Sequence, residues 1–419
     1  MIIKSPRGTK DILPEEVGLY QEIEGSVSRI FNLYAYKEIR TPLFEEAQLF
    51  VRSLGKASEV VQKQMFSVVS KGDASLVLRP EATASIIRAY LEHGLYQKSG
   101  FNKFYYIGPM FRAERPQKGR LRQFNHIGCE ALGSTSPYLD SEVISLCLNI
   151  LEGLGINDYK LFINNLGCKN DTKNFSEVLR EKLKPRLNHL CALCKDRFKR
   201  NVLRILDCKN KSCREIIGEL DLGPEYLCQD CKTHFEKVKE ALQLQKIQYL
   251  ISPHLVRGLD YYTRTVFEIT HHNLGSQDAV AAGGRYDNLA EELGGICVPA
   301  VGFAIGLERL ILSLGADKKK KISRPDKLDT YIVSIGQNCY NQAFVILNNL
   351  RRRGISAEID YEAKSLKAQM RAADKLKTDF VILLGDEEVS QNLVTLKDMR
   401  FGEQSKISLE ELYKKLEKR

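Results

Sequence analysis

A segment rich in lysine and cysteine, residues 168–248, interrupts the chain between two regions with strand-like sequence. The apolar residues of this segment mostly follow helical spacing, whereas strand-like runs occur on both sides of it. A helical segment that interrupts a sheet is the arrangement expected of an inserted domain. The sequence therefore predicts a core formed by residues 1–167 and 249–315, with residues 168–248 inserted into it.

A further domain is predicted at the C-terminal end of the chain. Four consecutive lysines at residues 318–321, followed by Pro325, indicate a linker over residues 316–327. Strand-like and helix-like segments then alternate from TYIVSIG to FVILLG. This alternation predicts a small α/β domain with a largely parallel sheet over residues 328–419.

The composition excludes several classes of protein. With 419 residues, 43% of them hydrophobic and 28% charged, the chain has the composition of a globular protein of two or three domains. No apolar run is long enough to span a membrane, and the first residues lack the apolar stretch of a secretion signal. The sequence therefore predicts a cytoplasmic protein without a membrane partner. Its eleven cysteines are then expected to be reduced thiols or metal ligands rather than disulfides.

The net charge of +10 is compatible with a polyanionic partner. Residues 168–248 hold much of this excess, with 18 basic and 12 acidic side chains. A well-solvated helical surface has the same composition, so the charge alone does not identify a partner.

Residues 103–133 have the pattern of a long β-hairpin with a basic connecting loop. Alternate residues of a strand share a face, so Arg112 and Glu114 are expected to point one way, and so are His126 and Glu130. An arginine among carboxylates suits a small zwitterion or a nucleotide. It equally suits a ladder of surface ion pairs, and the residues alone leave both interpretations open.

Two further clusters combine glycine, arginine and tyrosine. In LVRGLDYY, Gly258 after Arg257 would let the backbone approach a ligand. On a strand, Tyr261 and Tyr262 would point to opposite faces, so at most one is expected in a given pocket, and a pair of core aromatic residues is the alternative. In AAGGRYDN, the alternative is a glycine turn with a solvated arginine.

Two clusters lie at predicted helix starts. Arg309 in GLERL falls in the first turn of a helix, where it suits a phosphate better than it suits the helix dipole, although exposed arginines are common. Glu81 and Thr83 in LRPEAT lie at a strand-to-helix turn. There the alternative is helix capping by the threonine hydroxyl and an acidic first turn.

Together these strings resemble a known family. Pro42 after a strand, the FRAE hairpin and GLERL are similar to motifs one, two and three of the class II aminoacyl-tRNA synthetases. The strings PRGTKDILP, LRPEAT, GPMFRAERPQKGRLRQF, LVRGLDYYTRTVFE and GGRYDNL resemble the histidyl-tRNA synthetases in particular. The resemblance implies an α+β fold, with an antiparallel-sheet catalytic core, an inserted mainly helical domain and a C-terminal α/β anticodon-binding domain. It also implies the activity of a histidine--tRNA ligase.

The resemblance implies roles for several residues around ATP and Mg²⁺. Arg112 would hold the α-phosphate, Glu114 would bind the adenine amine and Arg309 would contact the γ-phosphate. Arg257 would lie near the α-phosphate and the substrate carboxylate, so that Arg112 and Arg257 form the catalytic pair.

The resemblance also implies a pocket for L-histidine. Glu130 and Tyr262 would bind the two ring nitrogens, and Glu81 would bind the α-ammonium with Thr83. Family members often have glutamine in place of His126, so either His126 lines the pocket as a neutral ring or a neighbour makes that contact. The expected histidine-binding set is Glu81, Ala82, Thr83, Arg112, His126, Glu130, Arg257, Tyr261, Tyr262 and Tyr286.

The partners implied by the resemblance are tRNA(His) and a second copy of the chain. Arg115 and Gln117 would contact the acceptor end of the tRNA. A homodimer would form around Pro42, together with the helix whose apolar residues recur from Val17 to Tyr34.

The cysteine spacing suggests a metal site. Cys191 with Cys194, and Cys228 with Cys231, are tight pairs of the kind that structural zinc sites use. The sequence predicts one zinc site from these four cysteines, and reduced thiols are the alternative, since the family does not generally need zinc.

Two other functions are compatible with the fold. One is a regulatory paralogue that binds histidine without catalysis, which is expected to lack the Arg257 motif and the C-terminal domain. The other is a class II synthetase for a different amino acid, which the combination of Glu81, Glu130 and Tyr262 disfavours.

Overall fold

The computed structural model describes residues 2–56, 58–69, 75–275, 278–316, 319 and 328–417. The chain divides into two compact units, Met1–Ile322 and Ser323–Arg419. Most of the predicted linker, residues 316–327, lies outside the described residues. The predicted subdivision of the first unit into a core and an inserted domain stays a prediction.

The first unit contains strands β1–β11 and helices α1–α11. The strands are β1 Lys37–Glu38, β2 Phe44–Glu46, β3 Phe66–Val68, β4 Leu76–Leu78, β5 Asn102–Phe111, β6 Gln123–Leu132, β7 Lys160–Asn165, β8 Leu250–Ile251, β9 Thr263–Thr270, β10 Ala279–Arg285 and β11 Ala300–Gly306. The helices are α1 Pro14–Leu33, α2 Ala47–Leu54, α3 Thr83–Glu92, α4 Leu95–Lys98, α5 Pro137–Gly153, α6 Lys169–Leu183, α7 Ala192–Arg200, α8 Lys211–Gly218, α9 Gln229–Leu244, α10 Leu289–Glu292 and α11 Leu307–Ser313. No helix among the described residues is long and apolar enough to cross a bilayer.

An eight-stranded sheet organises this unit, with the strand order β1-β5-β6-β11-β10-β9-β7-β8. The pairings from β5 through β7 are all antiparallel, and only the two edge pairings, β1 with β5 and β7 with β8, are parallel. The predicted antiparallel core is confirmed. A small three-stranded sheet, β2-β4-β3, accompanies it.

The β5–β6 hairpin forms as predicted, but it is shorter than the sequence pattern suggested. Strand β5 ends at Phe111, so strand alternation does not apply to Arg112 and Glu114, although their side chains do lie together as predicted, with Nη1 and Oε1 4.0 Å apart. Although the backbone N–H of Arg112 still donates to the Arg122 carbonyl, at 2.9 Å, the next N–H, of Ala113, donates to Gln64 at 2.7 Å. The chain therefore leaves the sheet at this point.

The main hydrophobic core lies between the sheet and its helices. Val27 and Phe31 of α1 contribute to it at the helical spacing that the sequence predicts. Phe235 and Val238 of α9 belong to the same core, whereas helices α6, α7 and α8 build a separate apolar cluster. The last helix of the predicted insertion is thus continuous with the main core.

The second unit is a five-stranded mixed sheet with helices. Its strands are β12 Thr330–Ser334, β13 Ala357–Ile359, β14 Phe380–Leu384, β15 Leu393–Asp398 and β16 Gln404–Ser408, and its helices are α12 Gln337–Arg352, α13 Leu366–Lys375, α14 Asp386–Ser390 and α15 Leu409–Glu417. The strand order is β13-β12-β14-β15-β16. The first three strands are parallel, as predicted, and two antiparallel strands, which were not predicted, follow them.

A buried arginine joins the sheet to α5. The side chain of Arg285, at the end of β10, is fully buried, and its Nε lies 2.7 Å from Asp140. Its other nitrogens donate to Asp287 at 3.0 Å and to the carbonyl oxygens of Ser134 and Ser136 at 3.0 and 3.1 Å. The interpretation of Arg285 as a solvated arginine in a turn is therefore wrong.

We expect Arg285→Ala to lower the free energy of unfolding of the first unit by about 3–5 kcal/mol, because it leaves the Asp140 charge buried without its guanidinium. Urea denaturation of the full chain measures the loss. The matched control is Arg186→Ala, which removes an ion pair with Glu219 from a surface where the arginine side chain is 41% exposed. That change should stay below about 1 kcal/mol, and equal losses in the two variants would contradict the role of Arg285.

Candidate active site

A cavity of about 320 Å³ opens on one face of the eight-stranded sheet. Three arginines from distant parts of the sequence, Arg112, Arg257 and Arg309, line it together. The other predicted site residues that line it are Glu81, Thr83, Glu114, His126, Glu130, Tyr261, Tyr262 and Tyr286.

Three predicted site residues have other positions. Ala82 is buried in an apolar cluster with Ile86 and Met110 and is not among the residues that line the cavity. Arg115 and Gln117 lie in the loop between β5 and β6, where both are exposed.

Glu130 lies at the polar end of the cavity and is 1% exposed. Its carboxylate accepts a hydrogen bond from the Thr83 hydroxyl, at 2.6 Å, and another from the Tyr286 hydroxyl. Burial raises the pKa of Glu130 to about 8, although these two hydrogen bonds oppose the shift. Without a ligand, Glu130 is therefore largely protonated at neutral pH.

A glycine in the neighbouring strand provides space for this carboxyl. Gly302 of β11 is paired in register with Glu130 of β6. A Cβ atom at Gly302 would lie 2.0 Å from a Glu130 carboxylate oxygen and 2.2 Å from the Cys129 carbonyl oxygen. Only glycine is compatible with the observed position of the Glu130 side chain.

Glu81 positions the start of helix α3. Its carboxylate accepts the backbone N–H groups of Thr83 at 2.7 Å and Ala84 at 2.9 Å. The N-cap residue is Ala82, and the side chain that accepts the free backbone N–H groups of this turn belongs to the preceding Glu81, whereas the Thr83 hydroxyl is directed to Glu130. The pKa of Glu81 is raised because the carboxyl is buried, and the hydrogen bonds and the charge of Arg112 offset only part of this rise.

Tyr261 and Tyr262 both line the cavity, with ring centroids 4.7 Å apart. The expectation that at most one of them points into the pocket is wrong, because both precede β9 and strand alternation does not apply to them. The Tyr261 ring also meets the Tyr286 ring edge to face, with centroids 5.5 Å apart. Contacting tyrosine rings thus extend from Tyr262 to Tyr286, whose hydroxyl donates to Glu130.

His126 lies four residues before Glu130 on β6, on the same face of the strand, and also lines the cavity. Burial, reinforced by the charges of Arg112, Arg309 and Arg79, lowers the pKa of His126 to about 3. The ring is therefore neutral at neutral pH. Its Nδ1 is buried and has no hydrogen-bond partner in the part of the chain that the structure describes.

The other end of the cavity is rich in cations. Arg257 pairs with Glu268 at 2.5 Å, and its Nε is buried without a hydrogen-bond partner among the described residues. Arg309 donates to the carbonyl oxygens of Gly119 at 3.1 Å and Ala279 at 2.6 Å. Several guanidinium groups around one cavity form a binding region for an anion of high charge.

Arg112 connects the two ends of the cavity. Its Nε donates to the Pro80 carbonyl at 2.9 Å, which fixes the side chain beside the turn that carries Glu81. Its guanidinium also lies 5.6 Å from the centre of the Phe124 ring, within the range of a cation–π contact. Glu114 is paired with Arg120 at 2.9 Å at the same end of the cavity.

Sequence reasoning missed several residues of the cavity. Glu268 is part of the string LVRGLDYYTRTVFE. On β9 it lies on the opposite face from the buried Phe267 and Ile269, and this alternation could have indicated that its side chain points away from the apolar core. Asp207 and Lys209 come from the predicted insertion and also line the cavity. No local pattern places these two residues there, because the contact depends on how the insertion folds back.

The cysteines form two clusters rather than one. Cys191 and Cys194 lie with Cys208 and Cys213, whereas Cys228 and Cys231 lie with Cys168 and Asp171; within each cluster the candidate ligand atoms are within 4.8 Å of one another. The prediction of one zinc site from Cys191, Cys194, Cys228 and Cys231 is therefore wrong, because the fold brings each tight pair to different partners.

The antiparallel sheet with a cation-rich cavity, combined with a separate α/β unit, has the architecture of a class II aminoacyl-tRNA synthetase. A family model described as histidyl-tRNA synthetase matches residues 8–310, and one described as anticodon binding domain matches residues 329–419.

Individual relatives of this chain belong to the same family as the matching models. A histidine--tRNA ligase of Halothermothrix orenii is 48% identical over 419 residues and 100% of both chains. One of Natranaerobius thermophilus is 46% identical over 410 residues, covering 98% of this chain and 97% of its own. The crystal structure of apo S. aureus histidyl-tRNA synthetase has a TM-score of 0.82 at 36% identity, covering 99% of this chain and 100% of that one. The chain belongs to the histidyl-tRNA synthetase family.

We expect Glu130 to make stability depend on pH. Because its pKa rises from the ordinary 4.5 to about 8, its protonated form stabilises the fold fully below pH 4.5, and this contribution is lost as pH rises through 8. Relative to Glu130→Gln, the ligand-free wild type should lose several kcal/mol across this window. Thermal unfolding at a series of pH values measures the difference. The control, Glu236→Gln at a 62% exposed side chain, should run parallel to the wild type, and a parallel Glu130→Gln curve would contradict the assignment.

Proposed function

We propose that this chain is a histidine--tRNA ligase that activates L-histidine with ATP and transfers it to the 3′-terminal adenosine of tRNA(His). The single observation that carries this proposal is that one cavity combines a region suited to a polyphosphate with a pocket suited to a small polar ring. Arg112, Arg257 and Arg309 form a region for a polyphosphate, and a buried polar pocket around Glu130 and Tyr262 adjoins it.

The reaction has two steps. The carboxylate oxygen of histidine attacks the α-phosphorus of ATP, the bond to the bridging oxygen breaks, and pyrophosphate leaves. The 3′-hydroxyl of the tRNA adenosine then attacks the acyl carbon, its proton is lost, and AMP leaves. Both steps move negative charge onto phosphate or acyl oxygens, so preorganised guanidinium groups lower the barriers.

The arginines divide this work by position. Arg112, held by the Pro80 carbonyl beside the amino-acid pocket, would bind the α-phosphate. Arg257 has a buried Nε without a partner among the described residues, and this donor suits the α-phosphate or the substrate carboxylate. Arg309 would bind the γ-phosphate, and Glu114 the adenine amine.

The pocket around Glu130 would select the imidazole ring. A neutral imidazole has one N–H donor and one acceptor nitrogen, so a selective pocket needs a group for each. The Glu130 carboxyl and the Tyr262 hydroxyl would supply them. A pocket of paired polar groups rejects analogues that leave those groups unpaired, which gives large discrimination factors.

The α-ammonium group of histidine would lie near the start of helix α3. The Glu81 carboxylate would bind this ammonium group. Thr83, which contacts Glu81, would lie beside it, and so would Tyr286, which contacts Glu130 together with Thr83. His126 would contribute its Nδ1, which has no partner among the described residues and, because the ring is neutral, can accept a hydrogen bond from the substrate.

Mg²⁺ would accompany the ATP. Glu268 lines the cation-rich end of the cavity, and carboxylate oxygens are ligands that Mg²⁺ prefers. It would contribute to holding an ion that is bound chiefly by the phosphates. The ion would add positive charge at the triphosphate.

The tRNA and a second copy of the chain are the proposed macromolecular partners. The match of residues 329–419 to an anticodon binding domain supports the tRNA, and the exposed Arg115 and Gln117 would contact its acceptor end. Leu43 and Phe44, directly after Pro42, are 43% and 53% exposed, which suits a homodimer contact there. The proposed compartment is the cytoplasm, where tRNA charging serves translation.

Exchange of labelled pyrophosphate into ATP, measured with a panel of amino acids, tests the first step. We expect exchange with L-histidine alone. Exchange with a different amino acid would remove the specificity, and histidine binding without any exchange would identify a regulatory paralogue instead.

We expect Arg257→Ala to lower the rate of this exchange by roughly 100-fold or more, because it removes a preorganised donor from the transition state. The control is Arg214→Ala, at an exposed arginine of α8, which should exchange at the wild-type rate. Circular dichroism verifies that both variants are folded. Exchange near the wild-type rate in Arg257→Ala would refute the role of this arginine.

A further inference from the structure

Four cysteine sulfurs converge beside the active-site cavity. Cys191, Cys194, Cys208 and Cys213 place their Sγ atoms within 4.8 Å of one another, and the last three residues are buried. The Sγ atoms of Cys191 and Cys208 are 3.9 Å apart. Four thiolates around a tetrahedral Zn²⁺ lie about 3.8 Å from one another, since each Zn–S bond is about 2.3 Å. The cluster thus already has nearly the dimensions of a zinc site.

The order of the four ligands also fits. Two residues separate Cys191 from Cys194, and four separate Cys208 from Cys213. Both gaps lie within the spacing of paired ligands in structural zinc sites, about two to four residues. The sequence alone favoured a different second pair, because Cys228 and Cys231 repeat the spacing of the first one.

The local backbone holds the ligands in place. Cys191 is the N-cap of α7, and Cys194 lies in the first turn of that helix. The backbone N–H of Cys191 donates to the Cys213 Sγ at 3.2 Å. Hydrogen bonds of this kind orient metal ligands and stabilise negative charge on sulfur. Small apolar packing would explain why a cysteine is buried, but it does not explain why sulfurs from three segments meet at one point.

We propose that Cys191, Cys194, Cys208 and Cys213 bind one structural Zn²⁺ ion. On binding, the thiols release their protons to solvent and the ion takes four thiolate ligands, so no redox partner is needed. All four positions are protein ligands, which is typical of a structural rather than a catalytic zinc site.

The proposed ion would fix an edge of the active site. Cys208 lies between Asp207 and Lys209, and both of these residues line the cavity. On the other side, Arg204 and Asn201 contact the Asp260 carboxylate at 3.4 and 3.1 Å, next to the tyrosine pair. A metal held by Cys208 would therefore determine the position of residues 201–209 against the cavity.

The second cluster provides an internal contrast. In it, Asp171 already accepts the backbone N–H groups of Cys168 at 3.2 Å and Cys228 at 3.0 Å, one with each carboxylate oxygen. This carboxylate therefore has a structural role without a metal. Cys228→Ser is consequently a matched control, a cysteine substitution in the same segment of the chain.

The first experiment measures zinc in the untagged full chain, expressed with zinc and analysed by mass spectrometry after gel filtration. We expect Cys194→Ser and Cys208→Ser each to contain one zinc equivalent less than the wild type, and Cys228→Ser to keep that equivalent. A wild type free of zinc would overturn the proposal. Zinc that is retained in Cys194→Ser and Cys208→Ser but lost in Cys228→Ser would also overturn it.

Two measurements cover variants that do not fold. In the Cys228→Ser background, metal-free protein titrated with Co²⁺ should develop the absorption of tetrahedral cobalt–thiolate coordination at one equivalent. Its absence would contradict the site. Hydrogen exchange before and after zinc removal should show lost protection in residues 201–209, with helix α5 unchanged, and unchanged protection in both would contradict the positional role. These readouts do not depend on ligase activity, so they stay informative if the proposed function fails.

Discussion

The buried ion pair between Arg285 and Asp140 is the constraint on which the geometry of the site depends. Both side chains are excluded from solvent, so each charge must be compensated by protein groups in fixed positions. Asp140 also accepts from His234 at 2.8 Å, which ties α9 to the same carboxylate. Tyr286, the residue after Arg285, contacts Glu130 directly. The position of the pocket therefore depends on the buried contacts of Asp140 and Arg285, which hold β10, α5 and α9 together.

The two ends of the cavity differ in charge, with buried carboxyl groups at one end and guanidinium groups at the other. At one end, Glu81 and Glu130 are buried carboxyls with raised pKa values, and neutral or backbone donors surround them. At the other end, guanidinium groups crowd together, and burial lowers the pKa of Arg309. Arg112 lies between them, and its charge opposes the rise in the pKa of Glu81 that burial causes. A substrate with an ammonium, a carboxylate and a triphosphate partner complements this division of charge.

The sequence predicted the regular elements well, because helical spacing and strand runs are local. It predicted α1, the β5–β6 hairpin and the parallel strands of the second unit. It could not predict that β5 ends before Arg112, since a hydrogen bond from Ala113 to the distant Gln64 ends it. The joint direction of Tyr261 and Tyr262, the burial of Arg285 and the sorting of the cysteines also depend on tertiary contacts. Most site residues followed from the family resemblance, whereas Asp207 and Lys209 required the fold.

The contacts of Arg309 attach the loop between β5 and β6 to the sheet. The Nε of Arg309 donates to the Gly119 carbonyl in that loop, and its Nη1 donates to Ala279 at the start of β10. A guanidinium has five N–H donors, so these two contacts leave three for a phosphate oxygen. Arg309 can therefore bind a polyphosphate without releasing the loop. One side chain would then connect the nucleotide, the loop and the start of β10.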